Sequence, residues 1–187
     1  SGTLKFSSQG TLNSGTVTLN GGLLDVDQNI TVGSNLVHAA GSFIEIGAGK
    51  AINYTGQVLN IGNLALKISG GGEFKNTNNL TIDNAGSNLA ISDSTKVSRI
   101  LVSASSAGNG ITISDSANNA TGNLVENLQL SSSLSVTSDA AWSVGSMTTG
   151  SALTFSNDKD LSIGSLSLTG NAEMSLGTSD ITVSVTN

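Results

Sequence analysis

The chain has 187 residues, of which 37% are hydrophobic, 11% are charged and 3% are aromatic. The formal net charge is -6 and the 7 basic residues are dispersed along the sequence, which argues against nucleic acid or an anionic membrane surface as a partner. The absence of Cys excludes a disulfide scaffold and thiolate metal sites. No run of 18 apolar residues occurs, so we expect no membrane insertion by a helix.

The spacing of apolar residues indicates a folded chain rather than a disordered one. Val, Ile and Leu recur evenly among small polar residues, which is typical of many short strands. At this length we predict a single domain over residues 1–187. The sequence begins with Ser1 rather than Met, and we expect it to be a segment of a longer surface protein.

The first informative element is the segment Gly15–Val26, GTVTLNGGLLDV, in which two β-type runs meet at Asn20-Gly21-Gly22. Asn-Gly suits a tight β-hairpin, and an antiparallel sandwich or barrel is the main alternative fold. The apolar pattern of Leu24–Val26 returns, however, at Ile44–Ile46 and Leu64–Leu66, each 20 residues later. This period predicts an all-β parallel β-helix, a β-solenoid, in which the segment is one strand–turn–strand corner.

The same apolar-x-apolar pattern fills the rest of the chain. Rungs of roughly 20–22 residues give about nine turns and a rod roughly 43 Å long at the parallel strand spacing. Because side chains alternate along a strand, the outer residues of each triplet should stack inside the coil. One column of five copies is Leu89–Ile91, Ile111–Ile113, Leu134–Val136, Leu153–Phe155 and Met174–Leu176. Two shorter columns are Leu80–Ile82 with Ile100–Val102 and Leu161–Ile163 with Ile181–Val183.

Polar residues mark the expected corners and loops. Two positions after each inner pair stands a residue with a short polar side chain, which favours a turn. Segments that are rich in Gly, Asn or Ser and lack apolar alternation are predicted to be protruding loops. The turn residues are Asp93, Asp115, Ser138, Asn157 and Thr178, and the loops are residues 69–79, 103–110 and 114–123.

The best candidate for catalysis is a carboxylate cluster, since Asp93 and Asp115 should stack on successive rungs with Asp83 and Arg99 near them in sequence. Polysaccharide lyases and hydrolases with β-helical folds use stacked carboxylates and a basic residue. Both aspartates also fit the turn column, where a structural role is enough. We therefore predict no enzyme and no catalytic residue, and retain Asp93 and Asp115 as possible ligand contacts.

Three aromatic or imidazole side chains, Trp142, Tyr54 and His38, bear on ligand binding. Trp142, the only Trp, is a possible ligand contact because an exposed aromatic ring can stack on a sugar, although an inward Trp that fills a wide rung fits equally well. Tyr54 takes an inner strand position and is predicted to lie in the core. His38 is the only His, which disfavours a His-based triad or a His metal cluster, and we expect it in a surface or partly buried loop.

Asp25 should lie directly over Glu45 on the next rung. Stacked carboxylates repel, so a cation, a shifted pKa or outward splay is expected, with splay as the default. The run from Asp25 to Asn29 starts like an EF-hand calcium loop, but Ile30 stands where that loop needs Gly and no Glu closes it. We expect no metal site and no cofactor.

Residues 10–26, GTLNSGTVTLNGGLLDV, together with the low charge and the Ser, Thr, Asn and Gly bias of most of the chain, resemble bacterial surface adhesins. The sequence is similar in this respect to autotransporter passengers and filamentous-haemagglutinin-type exoproteins, and phage tail fibres share the pattern. The resemblance implies a right-handed parallel β-helix, secretion to the bacterial cell surface, and adhesion or stalk function without a cofactor. It supplies no catalytic residues.

These observations predict a non-enzymatic structural or adhesive segment of a secreted bacterial cell-surface protein, a rigid stalk that displays binding loops. The expected partner is a protein or glycan on a host or neighbouring cell. Exposed strand edges on end rungs predict end-to-end self-association. The alternative is a polysaccharide-binding or polysaccharide-degrading β-helix.

Overall fold

The structure, a computed structural model, describes residues 2–62, 64–84, 86–103, 110–114, 124–139, 142–155, 160–170, 172–175 and 183–185. Their regular structure consists of β-strands, and no helix occurs among them. The strands are β1 (Thr3–Phe6), β2 (Gly10–Leu12), β3 (Thr16–Asn20), β4 (Leu23–Val26), β5 (Ile30–Val32), β6 (Asn35–Ala40), β7 (Ser42–Ile46), β8 (Ala51–Tyr54), β9 (Leu59–Asn60), β10 (Ala65–Ser69), β11 (Glu73–Asn76), β12 (Leu80–Ile82), β13 (Asn88–Ser92), β14 (Lys96–Val102), β15 (Gly110–Ser114), β16 (Leu124–Leu130), β17 (Leu134–Ser138), β18 (Trp142–Thr149), β19 (Leu153–Phe155), β20 (Leu161–Leu168), β21 (Met174–Ser175) and β22 (Val183–Val185).

The strands stack in parallel as a β-solenoid, which confirms the predicted fold class. Sheet A has nine strands in the order β1-β4-β7-β10-β13-β15-β17-β19-β21. Sheet B has eleven, along the path β2-β5-β8-β11-β14-β16-β18-β20-β22 with β9 and β12 beside it, and sheet C pairs β3 with β6. The coil makes about seven turns, slightly fewer than the predicted nine.

The segment Gly15–Val26 is a corner of this coil and not a hairpin. Its two strands, β3 and β4, belong to different sheets, and each pairs in parallel with a strand of the next rung. Leu24 lies opposite Ile44 and Val26 opposite Ile46, as the 20-residue repeat predicted. Gly21 makes the turn with φ of 70°, a left-handed conformation that favours glycine.

A continuous apolar core runs along the inside of the coil. Strands in both main sheets alternate between buried and more exposed residues, so their apolar side chains face one another across each rung. Burial of these side chains drives the coil to close, because a single rung has too little apolar surface to bury by itself. Core residues include Leu24, Ile44, Ile68, Leu89 and Ile111 in sheet A and Ile30, Ile52, Phe74, Val97 and Val144 in sheet B.

The strand register differs from the predicted columns at three places. Val136, not Leu134, lies opposite Ile111. Ile68, rather than Leu64, lies opposite Ile44, and Val183 replaces Ile181 opposite Leu161. All three shifts are even in residue number, so each strand keeps its inward and outward faces and the apolar pattern cannot detect the slip.

The first of these shifts also changes the position of Ser138. The structure places it at the end of β17, opposite Ile113 and only 6% exposed, so its predicted place in a turn is wrong. Asp115, Asn157 and Thr178, three other members of the predicted turn column, lie outside the described residues.

The predicted loop over residues 69–79 is also wrong. It contains a corner at Gly70–Gly72 and then β11, whose Phe74 is fully buried. The glycines are required by a close approach: a Cβ on Gly72 would lie 2.4 Å from Cγ2 of Ile46. The other two predicted loops fall mostly on residues 104–109 and 115–123, outside the described part.

Hydroxyl side chains connect the corners of successive rungs. The Ser42 hydroxyl accepts a hydrogen bond from the Gly21 N–H at 3.1 Å, and the Thr95 hydroxyl accepts one from the Gly71 N–H at 3.0 Å. Ser87 donates to the carbonyl of Gly62. Backbone groups at a corner leave the strand ladder, so short hydroxyl side chains satisfy them and account for part of the Ser and Thr content.

Candidate functional site

Trp142 begins β18 and is only 3% exposed. Its backbone lies opposite Leu161 of the next rung. A ring this deeply buried does not present a face to a sugar. Its position favours the inward alternative of the sequence analysis over stacking on a ligand.

Asp93 occupies the turn after β13, as its place in the turn column predicted. Its φ is 59° and that of Ser94 is 58°, both in the left-handed region. The carboxylate accepts a hydrogen bond from the Ser92 hydroxyl at 3.1 Å. Aspartate tolerates this conformation because its short side chain can bond locally. Asp115, the partner predicted to stack on it, lies outside the described residues.

Arg99 and Asp83, the other two members of the predicted catalytic cluster, lie at different positions on the coil. Arg99 lines a shallow cavity of about 140 Å³ with Asn127 and Gln129, and Asp93 is not part of that lining. Asp83 binds a corner instead, where its Oδ1 accepts the Gly62 N–H at 3.0 Å. The cavity at Arg99 therefore unites the arginine with amides rather than with Asp83 or Asp93.

Asp25 lies opposite Glu45, as predicted, but Asp25 also has a basic neighbour on its other side. Lys5 Nζ lies 2.8 Å from Asp25 Oδ2 and 2.7 Å from Asp27 Oδ2. Hydrogen bonds to Asp25 and then Asp27 raise the pKa of Lys5, which keeps the ammonium charged. Within the described residues, no group of three or more His, Asp or Glu side chains could hold a metal ion.

His38 lies in β6 and is partly buried, in a strand rather than the expected loop. Its Nδ1 is 2.7 Å from the carbonyl oxygen of Ile61, and since a carbonyl only accepts, Nδ1 carries the proton. Nε2 is buried and makes no hydrogen bond with the described residues. This arrangement joins β6 to the rung that follows.

The largest of the described cavities is an open groove of about 990 Å³ on the outer face of sheet B, beside the corner that leads from sheet A. We call it the sheet B groove. Four of its lining residues are glycines and therefore leave the space unfilled. The lining is Gln9, Gly10, Thr11, Asn29, Ile30, Thr31, Gly49, Lys50, Ala51, Asn53, Gly71, Gly72, Glu73, Lys75 and Lys96.

One outward column forms the polar floor of the groove. Thr11 lies opposite Thr31, Thr31 opposite Asn53, and Asn53 opposite Lys75. These pairs place hydroxyl, hydroxyl, amide and ammonium groups on four successive rungs, about 4.8 Å apart. The side chains point outward because they alternate with core residues such as Ile52 and Phe74 along the same strands.

Three lysines on three successive rungs concentrate positive charge at one half of the groove. Lys50 precedes β8, Lys75 lies in β11 and Lys96 begins β14. Glu73 lies opposite Lys96 and forms an ion pair of 3.2 Å with Lys75. Lys50 and Lys96 form no ion pair with another described residue. The groove thus carries a formal charge of about +2 in a chain of net charge -6.

The sequence alone did not reveal this site, because its basic residues are dispersed along the chain. Lys50, Lys75 and Lys96 are separated by 25 and 21 residues, which is far in sequence but close to one rung each. The coil therefore brings them together. The available signal was the match between their spacing and the period of the repeat.

Comparison with known proteins gives no match: no family model fits the sequence, and no curated protein and no solved structure is significantly similar. In the part of the chain that the structure describes, no helix could cross a membrane. Functional inference consequently depends on the site itself.

Proposed function

We propose that this chain is a non-enzymatic structural and adhesive segment of a secreted bacterial cell-surface protein. The observation that carries this proposal is the unbroken path of parallel strands in sheets A and B. The nine stacked strands of sheet A span about 38 Å at the parallel strand spacing. A rod of this kind holds surface groups at fixed distances from one another, which suits a stalk that presents binding surfaces.

The two faces of each strand have different functions, and this difference supports the same role. Inward residues maintain the core, whereas outward residues such as Thr11, Asn53 and Lys75 do not have to pack and are available for a partner. Surface groups can therefore change without loss of the coil. We expect the partner to be a protein or a glycan on a host cell or a neighbouring bacterial cell.

Extracellular location at the bacterial surface is part of the proposal. It is supported by the Cys-free, Ser-, Thr- and Asn-rich composition and by the resemblance of residues 10–26 to surface adhesins. Surface display can be tested in the source cells by antibody labelling of intact cells and by digestion with an added protease. Labelling and cleavage only after lysis would contradict it.

Polysaccharide binding is the second candidate, and the sheet B groove is the observation that favours it. Polysaccharide cleavage would require a reactive group in a ligand site. Asp93 and Arg99, two candidates from the sequence analysis, do not line this groove. We therefore propose binding, and no cleavage through Asp93 or Arg99, at this groove.

The direct test of adhesion uses the chain coupled to beads. Beads should adhere to target cells, and soluble chain should compete for the same sites. Beads that carry the unfolded chain provide the control. Adhesion equal to that control, or breakdown of the cells' polysaccharides by the soluble chain, would contradict the proposed function.

End-to-end self-association remains a proposal for the isolated chain. β1 is paired on one side only, and its Leu4, which lies opposite the core residue Leu24, is 46% exposed. A second copy could cover this edge. Sedimentation at rising concentration should show association that Leu4→Asp weakens, and a monomer at all concentrations would contradict it.

A further inference from the structure

We infer that the sheet B groove binds a linear acidic glycan, one that carries carboxylate or sulfate groups, with its chain along the axis of the coil. This inference rests on the proposed adhesive function and deepens it by naming the ligand class and the binding surface. The main observation in its support is a contrast in charge. The chain has a net charge of -6, yet three lysines from successive rungs line its largest described groove.

The direction of the ligand follows from the spacing of the rungs. The floor column from Thr11 to Lys75, extended by one rung to the level of Lys96, is about 19 Å long at about 4.8 Å per rung. Each rung adds one or two outward groups to this line. A linear polymer that runs along the axis can contact all of them, whereas a small compact ligand would reach only a few.

The sheet B groove has a neutral polar half and a positively charged half, and this combination suits an acidic sugar polymer. Thr11, Thr31 and Asn53 offer hydroxyl and amide groups that both donate and accept, as sugar hydroxyls require. Lys50 and Lys96 offer ammonium groups that no described carboxylate neutralises. Carboxylate or sulfate groups would form charge-assisted hydrogen bonds with them.

Other polymers fit the groove less well. Single-stranded nucleic acid binds to stacking platforms, and the lining of the groove contains no aromatic residue and no Arg. A peptide that adds as a β-strand needs a free sheet edge, but β5, β8 and β11 are paired on both sides and only β2, at one end of the groove, has such an edge. Single-stranded nucleic acid is retained as an arm of the test.

The experiment measures binding of the full chain to oligosaccharides by calorimetry at low and moderate salt. The acidic probes are a heparin oligosaccharide, which is sulfated, and an oligogalacturonate, which is carboxylated. A neutral malto-oligosaccharide and a single-stranded DNA oligonucleotide are the comparison probes. We expect at least one acidic glycan to bind more tightly than either comparison probe and to weaken as salt increases.

Charge substitutions locate the site. The triple variant Lys50→Gln, Lys75→Gln, Lys96→Gln should lower the affinity about tenfold, since each exposed charge contact contributes modestly. The matched control is Lys5→Gln, Lys67→Gln, Arg99→Gln, which changes the net charge equally outside the groove. It should change affinity less than about twofold. Circular dichroism verifies that both variants remain folded.

Glu73 competes with an acidic ligand for Lys75, so removal of its carboxylate should raise the affinity instead of lowering it. Glu73→Gln eliminates the ion pair with Lys75 and should raise the affinity for acidic glycan about threefold. Equal losses in the two triple variants, equal binding of DNA, equal binding of the neutral glycan, or no binding of either acidic glycan would each overturn the inference.

The groove and the adhesive function can fail separately. Beads that carry the triple lysine variant and still adhere normally would refute the groove as the adhesive surface, while the adhesive role of the chain would stand. A chain that binds acidic oligosaccharide in solution but does not hold beads on cells would preserve the groove and refute adhesion.

Discussion

The phenol oxygen of Tyr54 accepts a hydrogen bond from the backbone N–H of Leu36 at 3.1 Å, inside the coil. Tyr54 is fully buried, and its ring stacks on Phe74 of the next rung with centroids 5.8 Å apart. One side chain thus joins sheet B to β6 on the adjacent face and to the rung beyond. It also satisfies a buried donor that would otherwise carry a free-energy penalty.

Replacement of Tyr54 by Phe should lower the free energy of unfolding by about 1–3 kcal/mol, because the ring remains while the Leu36 N–H loses its acceptor. Urea denaturation of both proteins measures the difference. The control is Thr18→Val, which removes an exposed hydroxyl from β3 and should change stability by less than about 0.5 kcal/mol. Equal stability of the Tyr54→Phe variant and the parent would show that the bond is not needed.

Alkaline pH should unfold the chain through the same residue. Burial raises the pKa of Tyr54, and the hydrogen bond from Leu36 N–H opposes this only in part. A raised folded pKa gives stability that is complete below the unfolded value of about 10 and is lost as pH rises through the folded value. Tyr54 is the only Tyr, so tyrosinate absorbance reports it directly.

We expect tyrosinate absorbance and loss of the β-sheet signal to rise together, above the ordinary pKa of tyrosine. Tyr54→Phe has no phenol to ionise at this position. Its free energy of unfolding, although lower at neutral pH, should therefore fall less steeply with rising pH than that of the parent chain. Ionisation of Tyr54 at its ordinary pKa in a chain that stays folded would contradict the buried position.

Gly72→Ala should destabilise the coil by about 1–3 kcal/mol, since its Cβ would lie 2.4 Å from Cγ2 of Ile46 and 2.7 Å from the carbonyl oxygens of Gly47 and Lys50. The matched control is Gly10→Ala in β2, where the nearest heavy atom is 4.0 Å from the added Cβ. Thermal unfolding of the two variants should differ clearly. The same melting temperature in both would mean that the corner can open without cost.

Asn76 should be the most sensitive buried polar residue of sheet B. Its Nδ2 donates to the carbonyls of Arg99 at 2.7 Å and Asn78 at 2.8 Å, and its Oδ1 accepts the Arg99 N–H at 3.1 Å. The side chain therefore continues the ladder to β14 beyond the Phe74–Val97 pair.

Asn76→Asp should cost more stability than Asn76→Ala at neutral pH, because a carboxylate would face two carbonyl oxygens with no proton to donate. Each should lose at least about 1–3 kcal/mol, and the aspartate variant should recover in part as acid protonates it. Exposed Asn60→Ala is the control. An aspartate variant as stable as the parent would contradict this geometry.

Trp142 gives an optical test of its inward position. The folded chain should emit at the short wavelengths of a buried indole and resist quenching by acrylamide, since the side chain is only 3% exposed. Denaturant should reverse both properties. Long-wavelength emission that a neutral glycan shifts would instead restore Trp142 as a ligand contact.

Much of the fold could be predicted from local patterns. The alternation of apolar and small polar residues determines which side of each strand faces inward, and the recurrence of Leu24–Val26 at Ile44–Ile46 identifies the coil. The core positions of Tyr54 and Phe74 follow the same alternation, although the glycines before Phe74 made that strand resemble a loop.

The sequence by itself determined the all-β class, the solenoid and the faces of the strands, because these depend on a period of two within strands and of about twenty between rungs. Only the tertiary structure decided the register, since Leu134 and Val136 are equally acceptable to the core opposite Ile111. It also decided the candidate site. Lys50, Lys75 and Lys96 become neighbours only when each turn is closed at its actual length, which backbone pairing across the rungs sets.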